Sequence, residues 1–366
     1  MNAEPAVYVE PDVKELTVVV PDGIDDPRLP SGGNSYDRRI CNGLAASGWS
    51  VHERAVPGSW PRPDGAASRI LSDVMGAIPD GALVLLDGLV ASAVPEVLVP
   101  EARRLRLVVL VHMPLGNAAP GDDAAAGNRE CAVLQAAAAV VTTSTWTRRW
   151  LLDRYALRPG LVHVAEPGVD AAEPATGTVE GAELLCVAAV TPLKGHDVLL
   201  EALARVSDLS WRCDCVGTLD RDPGFVERLR SQAREGGLSD RVVFTGPRTG
   251  ADLDLSYASA DVVVLASRAE TYGMVVTEAL AHGIPVVATD VGGLPEAMGR
   301  GADGSLPGLL VPPGDPAALA AALRCWLGDP DLRERLRRAA HGRRLTLSGW
   351  PDTALRVSRI LADVAA

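Results

Sequence analysis

Residues 267–293 read SRAETYGMVVTEALAHGIPVVATDVGG and place two glutamates, Glu270 and Glu278, eight residues apart. The apolar run DVVVLAS leads into the stretch, and PVVATD lies near its end. Between these two strands MVVTEALAHG has helical spacing and stops at a glycine. Strand, helix and strand in that order, with strands apolar on both faces, are the repeating unit of a parallel sheet covered on both sides. Glu270 then falls in the loop at a strand's carboxyl end. Gly273 and Met274 open the helix with free N–H groups, and Glu278 lies one turn further in. A loop carboxylate there accepts hydrogen bonds from sugar hydroxyls, and one in the first helical turns can clasp a ribose diol. The competing reading of Glu278 is an acid favoured by the helix dipole alone.

The same alternation extends in both directions. Upstream, LTVVVPDG, WSVHERAV, GALVLLDGLV (81–90), LRLVVLVHMP (105–114), AVVTTS and LVHVAEPGVD read as strands separated by helices. The stretch AAEPATGTVEG (171–181) is small, polar and proline-bearing, and it reads as a linker. The pattern then restarts with ELLCVAAV and runs through WRCDCVG, RVVFTG, DVVVLAS and PVVATD. The expected organisation is an N-terminal Rossmann-like, acceptor-binding domain over 1–171, a linker over 172–183 and a C-terminal Rossmann-like, donor-binding domain over 184–345. A final helix over 346–366 is expected to pack back on the N-terminal domain. Such sheets bind ligands beyond the carboxyl ends of their strands, so two in series enclose a cleft.

The bulk numbers agree. A chain of 366 residues suits two domains of roughly 150–180 residues better than one core. A net charge of -12 argues against nucleic-acid binding, which wants a basic field. The six scattered cysteines include no CxxC pair and read as buried thiols in a reducing compartment. Residues 1–16 show no basic-then-apolar pattern of a signal peptide, and no apolar run reaches membrane-spanning length. A cytoplasmic chain is expected; peripheral membrane contact is left open.

Four other places carry chemistry. SGGN (31–34) reads as a glycine turn before a helix from about Ser35, with Gly33 favoured for contact with phosphate or sugar. His112 ends a strand, where it can meet a substrate hydroxyl or act as a base. Lys194, one of only two lysines in the chain, sits at a strand-to-helix junction where an ammonium meets a diphosphate. Gly292, Gly293 and Glu296 form another strand-end turn, with architecture and ligand contact both open. No Asp-x-Asp is read at a strand end, so no metal or other cofactor is expected.

The 267–296 stretch resembles the E-x7-E signature of the retaining glycosyltransferases of family 4, which have the GT-B fold and use nucleotide sugars. PGVD (167–170), PGLLVPPGDPAALAAAL and the Gly32–Gly33 pair match as well, so the resemblance covers about residues 16–345. It implies that Glu270 approaches the donor sugar and that Glu278 binds the ribose. It implies that Tyr272, Gly273, Met274 and Val275 line sugar and phosphate, mainly through backbone. Lys194 resembles the family's diphosphate lysine, His112 its sugar-contacting histidine and Gly33 its phosphate-loop glycine. Arg248 falls where the base approaches. One departure stands out: Ala188 and Ala189 replace a glycine and an arginine, which removes one diphosphate cation, and Arg268 is a candidate replacement. The resemblance implies a metal-independent retaining transfer from a nucleotide diphosphate sugar to a small-molecule or saccharide acceptor. That acceptor would be held by loops around 58–70 and 114–128. A non-catalytic nucleotide-sugar-binding protein, a nucleotide-sugar 2-epimerase and an oxidoreductase are the other classes weighed. Donor identity and oligomeric state are not legible.

Overall fold

The computed structural model describes residues 14–27, 30–117 and 124–366. The first unit runs β1 (Lys14–Pro21), α1 (Gly32–Ala46), β2 (Trp49–Val56), α2 (Gly65–Gly76), β3 (Leu83–Asp87), α3 (Gly88–Ala91), α4 (Pro95–Glu101), β4 (Arg106–Val111), α5 (Ala124–Ala136), β5 (Ala139–Thr142), α6 (Thr145–Tyr155) and β6 (Val162–Val164). The second runs β7 (Glu183–Val187), α7 (His196–Ala204), β8 (Arg212–Val216), α8 (Pro223–Glu235), β9 (Val242–Gly246), α9 (Gly250–Ala258), β10 (Val262–Leu265), α10 (Met274–Ala281), β11 (Val286–Thr289), α11 (Leu294–Met298), β12 (Gly308–Val311), α12 (Pro316–Gly328) and α13 (Pro330–Arg344). A last helix, α14 (Trp350–Ala365), follows.

Each unit holds a six-stranded sheet, ordered β2-β1-β3-β4-β5-β6 and β12-β11-β10-β7-β8-β9. Every recorded strand pairing is parallel. The central strands are buried on both faces, Leu83–Asp87 and Val262–Leu265 completely, which is why they read as unbroken apolar runs, whereas edge strand β2 is partly exposed. In the first sheet the chain leaves β1 towards β2 and then returns past it to β3. In the second it leaves β7 towards β8 and β9 and returns to β10. These reversals are the points where an open parallel sheet leaves a crevice beyond its strand ends.

The core of the first unit lies on both faces of its sheet. The face that carries Leu16, Val18 and Val20 is closed by Tyr36, Ile40 and Leu44 of α1 and by Ala354, Val357 and Leu361 of α14. The chain therefore crosses between units twice. The crossings touch: Val169 N–H donates to the Ser348 carbonyl at 3.1 Å. Residues 171–182 contain no helix or strand, yet they are fixed along the second unit. Thr178 donates its hydroxyl to Asp261 at 2.6 Å, and Ala175 N–H donates to the His282 carbonyl at 2.8 Å.

Several elements depart from the sequence reading. Helix α1 begins at Gly32, not near Ser35, because the Ser31 hydroxyl caps it by accepting from Asn34 N–H at 3.1 Å. Gly33 is thus in a first helical turn, not a loop. The strand expected over 81–90 stops at Asp87, whose carboxylate turns the chain into α3 by accepting from Leu89 N–H at 2.6 Å. In the expected acceptor loop 114–128, residues 118–123 lie outside the described residues, and from Ala124 the chain is helix α5. The expected absence of a signal peptide rests largely on residues 1–13, which also lie outside them. Cys41, Cys186, Cys213 and Cys215 are buried, but Cys325 is exposed and Cys131 half-buried. Among the described residues no helix is long and apolar enough to cross a membrane.

Candidate active site

The two crevices face each other. On the second unit, Lys194 follows β7 on a short 3-10 turn and Glu270 follows β10. The topology that separates these strands in sequence makes them neighbours in the sheet. The Lys194 ammonium and the Glu270 carboxylate form a direct ion pair, with side chains 25% and 16% exposed. Arg268 buttresses this pair instead of adding a cation to it. Its guanidinium is bound to Asp197 at 2.7 and 2.8 Å and to the Pro192 carbonyl at 2.6 Å, and its N–H donates to the Leu193 carbonyl. The proposed replacement for the cation missing at Ala189 is therefore already engaged in bracing the Lys194 turn.

Helix α10 starts beside them. Its N-cap is Gly273, at φ 98°, with no side-chain cap, so the first N–H groups stay available. A methyl group at Gly273 would stand 2.4 Å from Leu294 Cδ2. Glu278, half-buried, accepts from the Tyr257 hydroxyl at 2.7 Å. Burial raises the Glu278 carboxyl above its ordinary value, and the Tyr257 hydrogen bond opposes this. Tyr257 in turn stacks on His282 at 4.9 Å. One Glu278 oxygen, Oε2, is thus held by Tyr257. Arg248 is half-buried and donates to the Ser256 hydroxyl at 2.8 Å. Tyr272 is buried and lines a small cavity with Glu166, Val169 and Arg343.

On the first unit, Gly33 and His112 meet: a methyl at Gly33 would lie 3.2 Å from the His112 ring. His112 follows β4 and is paired with two acids that the sequence reading did not single out. Its Nε2 lies 2.7 Å from Asp37 Oδ1 and 3.8 Å from Asp87 Oδ2. Burial works to lower the His112 pKa, but Asp37 and then Asp87 outweigh it and raise it to about 9. Burial, followed by the Asp37 charge, pushes Asp87 up to about 7. The loop after His112 is anchored by buried Glu130, which accepts from Leu115 N–H at 3.1 Å and from the Tyr155 hydroxyl at 2.6 Å.

The units also touch across the cleft. A methyl at Gly32 would lie 3.3 Å from the Met274 sulfur, so the two helix starts, of α1 and α10, nearly meet. Glu296 of α11 caps α6 of the other unit, accepting from Thr145 and Trp146 N–H at 2.7 and 3.1 Å. Of the two roles left open for Glu296, it takes the architectural one. The glycine pair does the same. A methyl at Gly292 would fall 1.6 Å from the Glu270 carbonyl, and one at Gly293 2.2 Å from the Thr271 carbonyl. The close approach these glycines permit is to the protein's own Glu270 loop.

An Asp-x-Asp does occur past β8, contrary to the sequence reading: Asp220–Arg221–Asp222. Asp222 is occupied as the N-cap of α8, accepting from Phe225 N–H at 2.8 Å. Asp37 had a signal, since it lies one helical turn after Gly33 and so shares its face. Asp87 had one too, as the last residue of an apolar strand.

Two facing α/β units with these strand orders define a GT-B protein, and solved structures agree. Sucrose-phosphate synthase from Thermosynechococcus elongatus superposes with a TM-score of 0.77 at 23% identity, over 96% of this chain and 98% of that one. Anabaena Alr3699/HepE, solved in complex with UDP and glucose, gives 0.75 at 19% identity over 96% and 100%. The family model for glycosyl transferases group 1 matches residues 174–343. A D-inositol 3-phosphate glycosyltransferase of Catenulispora acidiphila is 33% identical over 294 residues, 72% of this chain and 68% of that protein. The chain belongs to the glycosyl transferases group 1 family. It spans only about half the length of other curated relatives, such as the D-inositol 3-phosphate glycosyltransferase of Jonesia denitrificans, which is 34% identical over 61% of this chain and 56% of that protein.

Proposed function

We propose that this protein transfers a sugar, with retention and without a metal, from a nucleoside diphosphate sugar to an acceptor hydroxyl. The observation that carries the reading is the Lys194–Glu270 pair at the β7/β10 crevice, beside the uncapped start of α10. In the transfer, negative charge develops on the leaving diphosphate. Lys194 and the α10 N–H groups are preorganised donors for it, which is where such groups lower a barrier most. Glu270, freed from Lys194 as the ammonium turns to the diphosphate, accepts from the donor sugar's hydroxyls. Glu278, with one oxygen held by Tyr257, clasps the ribose. Val275 and Met274 contribute backbone, and Arg248 lies towards the base. Gly33 and His112 close the site from the first unit. The names of the neighbours support uridine as the first base to try, and those of the relatives support a polyol or its phosphate as the first acceptor.

The test is metal-free calorimetry with UDP, GDP, ADP and TDP and their sugar conjugates. Micromolar binding of one diphosphate, lost in Glu278→Ala, is the expected result. If none binds, the nucleotide-sugar reading is wrong. Turnover of the donor that binds, followed by the anomeric configuration of the product, then tests transfer and retention.

A further inference from the structure

We propose that Asp37 is a positioning residue which, with Asp87 beside it, holds the His112 ring as a cation, so that the ring serves a bound substrate as a hydrogen-bond donor through Nδ1 and not as a base. The proposal rests on the glycosyltransferase reading only for the identity of that substrate; the state of the ring is tested separately.

The geometry constrains the ring on three sides. Nε2 points inward, 2.7 Å from Asp37 Oδ1 and 3.8 Å from Asp87 Oδ2. Tyr36 stands edge-on to the ring at 5.3 Å, and Gly33 lies along its Cγ–Cδ2 side. Nε2 is committed to the carboxylates, so Nδ1 is the ring nitrogen left for a ligand. Asp37 and Asp87 are 4% and 3% exposed. Asp87 Oδ1 is spent on Leu89 N–H, whereas Asp37 Oδ2 is buried with no hydrogen-bond partner.

The charge balance follows from what surrounds the cluster. Among the described residues, His112 is the only basic side chain within ion-pair distance of either carboxylate. The third titratable neighbour, Tyr36, is kept protonated by burial and donates its hydroxyl to the Ala165 carbonyl at 2.8 Å. Two buried acids with one basic partner favour a proton on that partner, because an unpaired buried carboxylate is costly. Against its burial, His112 is raised to about 9, chiefly by Asp37; Asp87, pushed up to about 7 by burial and the Asp37 charge, gives up part of its own charge near neutral pH, so Asp37 is the main partner of the charged ring. A ring charged at neutral pH has no lone pair with which to take a proton, so a base role is closed to it.

The three side chains also offer ligand atoms within 4.8 Å of one another, as a metal site would. The 2.7 Å separation of Nε2 and Oδ1 argues for a shared proton. Ligands about 2.1 Å from a cation and at right angles stand about 3.0 Å apart.

Histidine-selective NMR on the ligand-free full chain reads the proposal directly, with the His112 signal assigned by its loss in His112→Gln. The expected result is titration above pH 8 in the native protein. Asp37→Asn should lower that midpoint by at least one unit, and Asp87→Asn by less. Should Asp37→Asn fail to fold, Asp87→Asn and Asp37→Glu carry the readout: Asp87→Asn should lower the midpoint by a smaller, measurable step, and Asp37→Glu should keep it high. A native midpoint at or below 6.5, or one that neither Asn variant moves, overturns the proposal. Stoichiometric shift of the His112 signal by Zn2+ or Mn2+ overturns it in favour of a metal site. On a donor that turns over, kcat/KM should stay level from pH 6.5 to 8.5 and fall above it, and the Asn variants should bring that fall to lower pH. A fall in activity below pH 6.5 as His112 gains its proton would mark it as a base.

Discussion

Lys194 and Glu270 neutralise each other in the free protein, and this sets what each substitution does. The pair is partly exposed, so its contribution to folding is small. On the proposed function its contribution to transfer is larger, because Arg268 is committed to Asp197 and the Lys194 ammonium is the cation paired with Glu270 in the crevice. Lys194→Ala is expected to lower kcat/KM by about a hundredfold or more while moving the melting midpoint little. Equal losses in both measurements would mean that the pair is structural. Tyr257 acts on Glu278 in the same local way. Tyr257→Phe removes the hydrogen bond that opposes burial, so the Glu278 pKa rises further. A carboxyl with a raised pKa is ionised only at higher pH. Nucleotide binding by the variant should therefore be weakened more at pH 6 than at pH 8, and a pH-independent loss would exclude this cause. At this scale the sequence revealed the residues that follow strands: His112, Lys194 and Glu270. It did not reveal Asp37 or Asp87 as partners of His112. The three positions are far apart in the chain, and only the β1-β3-β4 order brings them together.

The start of α10 depends on two glycines more than on any side-chain cap. Gly273 takes φ 98° against Leu294, and Gly292 takes φ 60° against the Glu270 carbonyl. An added methyl at Gly273 meets both a backbone conformation that disfavours side chains and a packed leucine. Gly273→Ala should cost about 1–3 kcal/mol in denaturant unfolding of the second unit. Gly292→Ala should cost more, because backbone cannot move aside as a side-chain tip can. It should also displace Glu270, and so weaken donor binding beyond what its loss of stability explains. Unchanged donor affinity in folded Gly292→Ala would show that the loop does not depend on this contact. The pattern of apolar runs revealed the strands and helices but misplaced where some of them end. At α1 and α3 the boundary is set by one capping side chain, Ser31 or Asp87, and hydrophobic periodicity carries no trace of a single hydrogen bond. The glycine pair was recognisable as a tight approach, but what it approaches is a loop after another strand, which spacing does not encode.

At the scale of the molecule, the question is what holds the two units in register across the cleft. The crossings at 165–182 and 345–349 tether them, and other contacts bridge the gap in front. There the recorded polar ties are Glu296 on the start of α6 and the Thr147 hydroxyl on the Thr271 carbonyl at 3.4 Å. Glu296 is the stronger, since a carboxylate accepting two N–H groups at a helix N-terminus gains from both hydrogen bonding and the dipole. Helix α6 does not need it to fold, because Ser144 already caps it through Thr147 N–H at 2.9 Å. Glu296 therefore acts as a clasp, and α11, which carries it, starts just after the glycines that hold the Glu270 loop. On the proposed function, donor contact on the second unit and the tie to the first are built into one segment, 267–296. Removing the clasp in Glu296→Ala should shift the free protein towards an open form by about 1–3 kcal/mol. Small-angle scattering should then give a larger radius of gyration, and amide exchange should quicken at Thr145 and Trp146. Saturating nucleotide should restore part of the compaction if closure and donor binding are linked. The same radius and the same exchange in variant and native protein would show that Glu296 only decorates a gap fixed by the crossings.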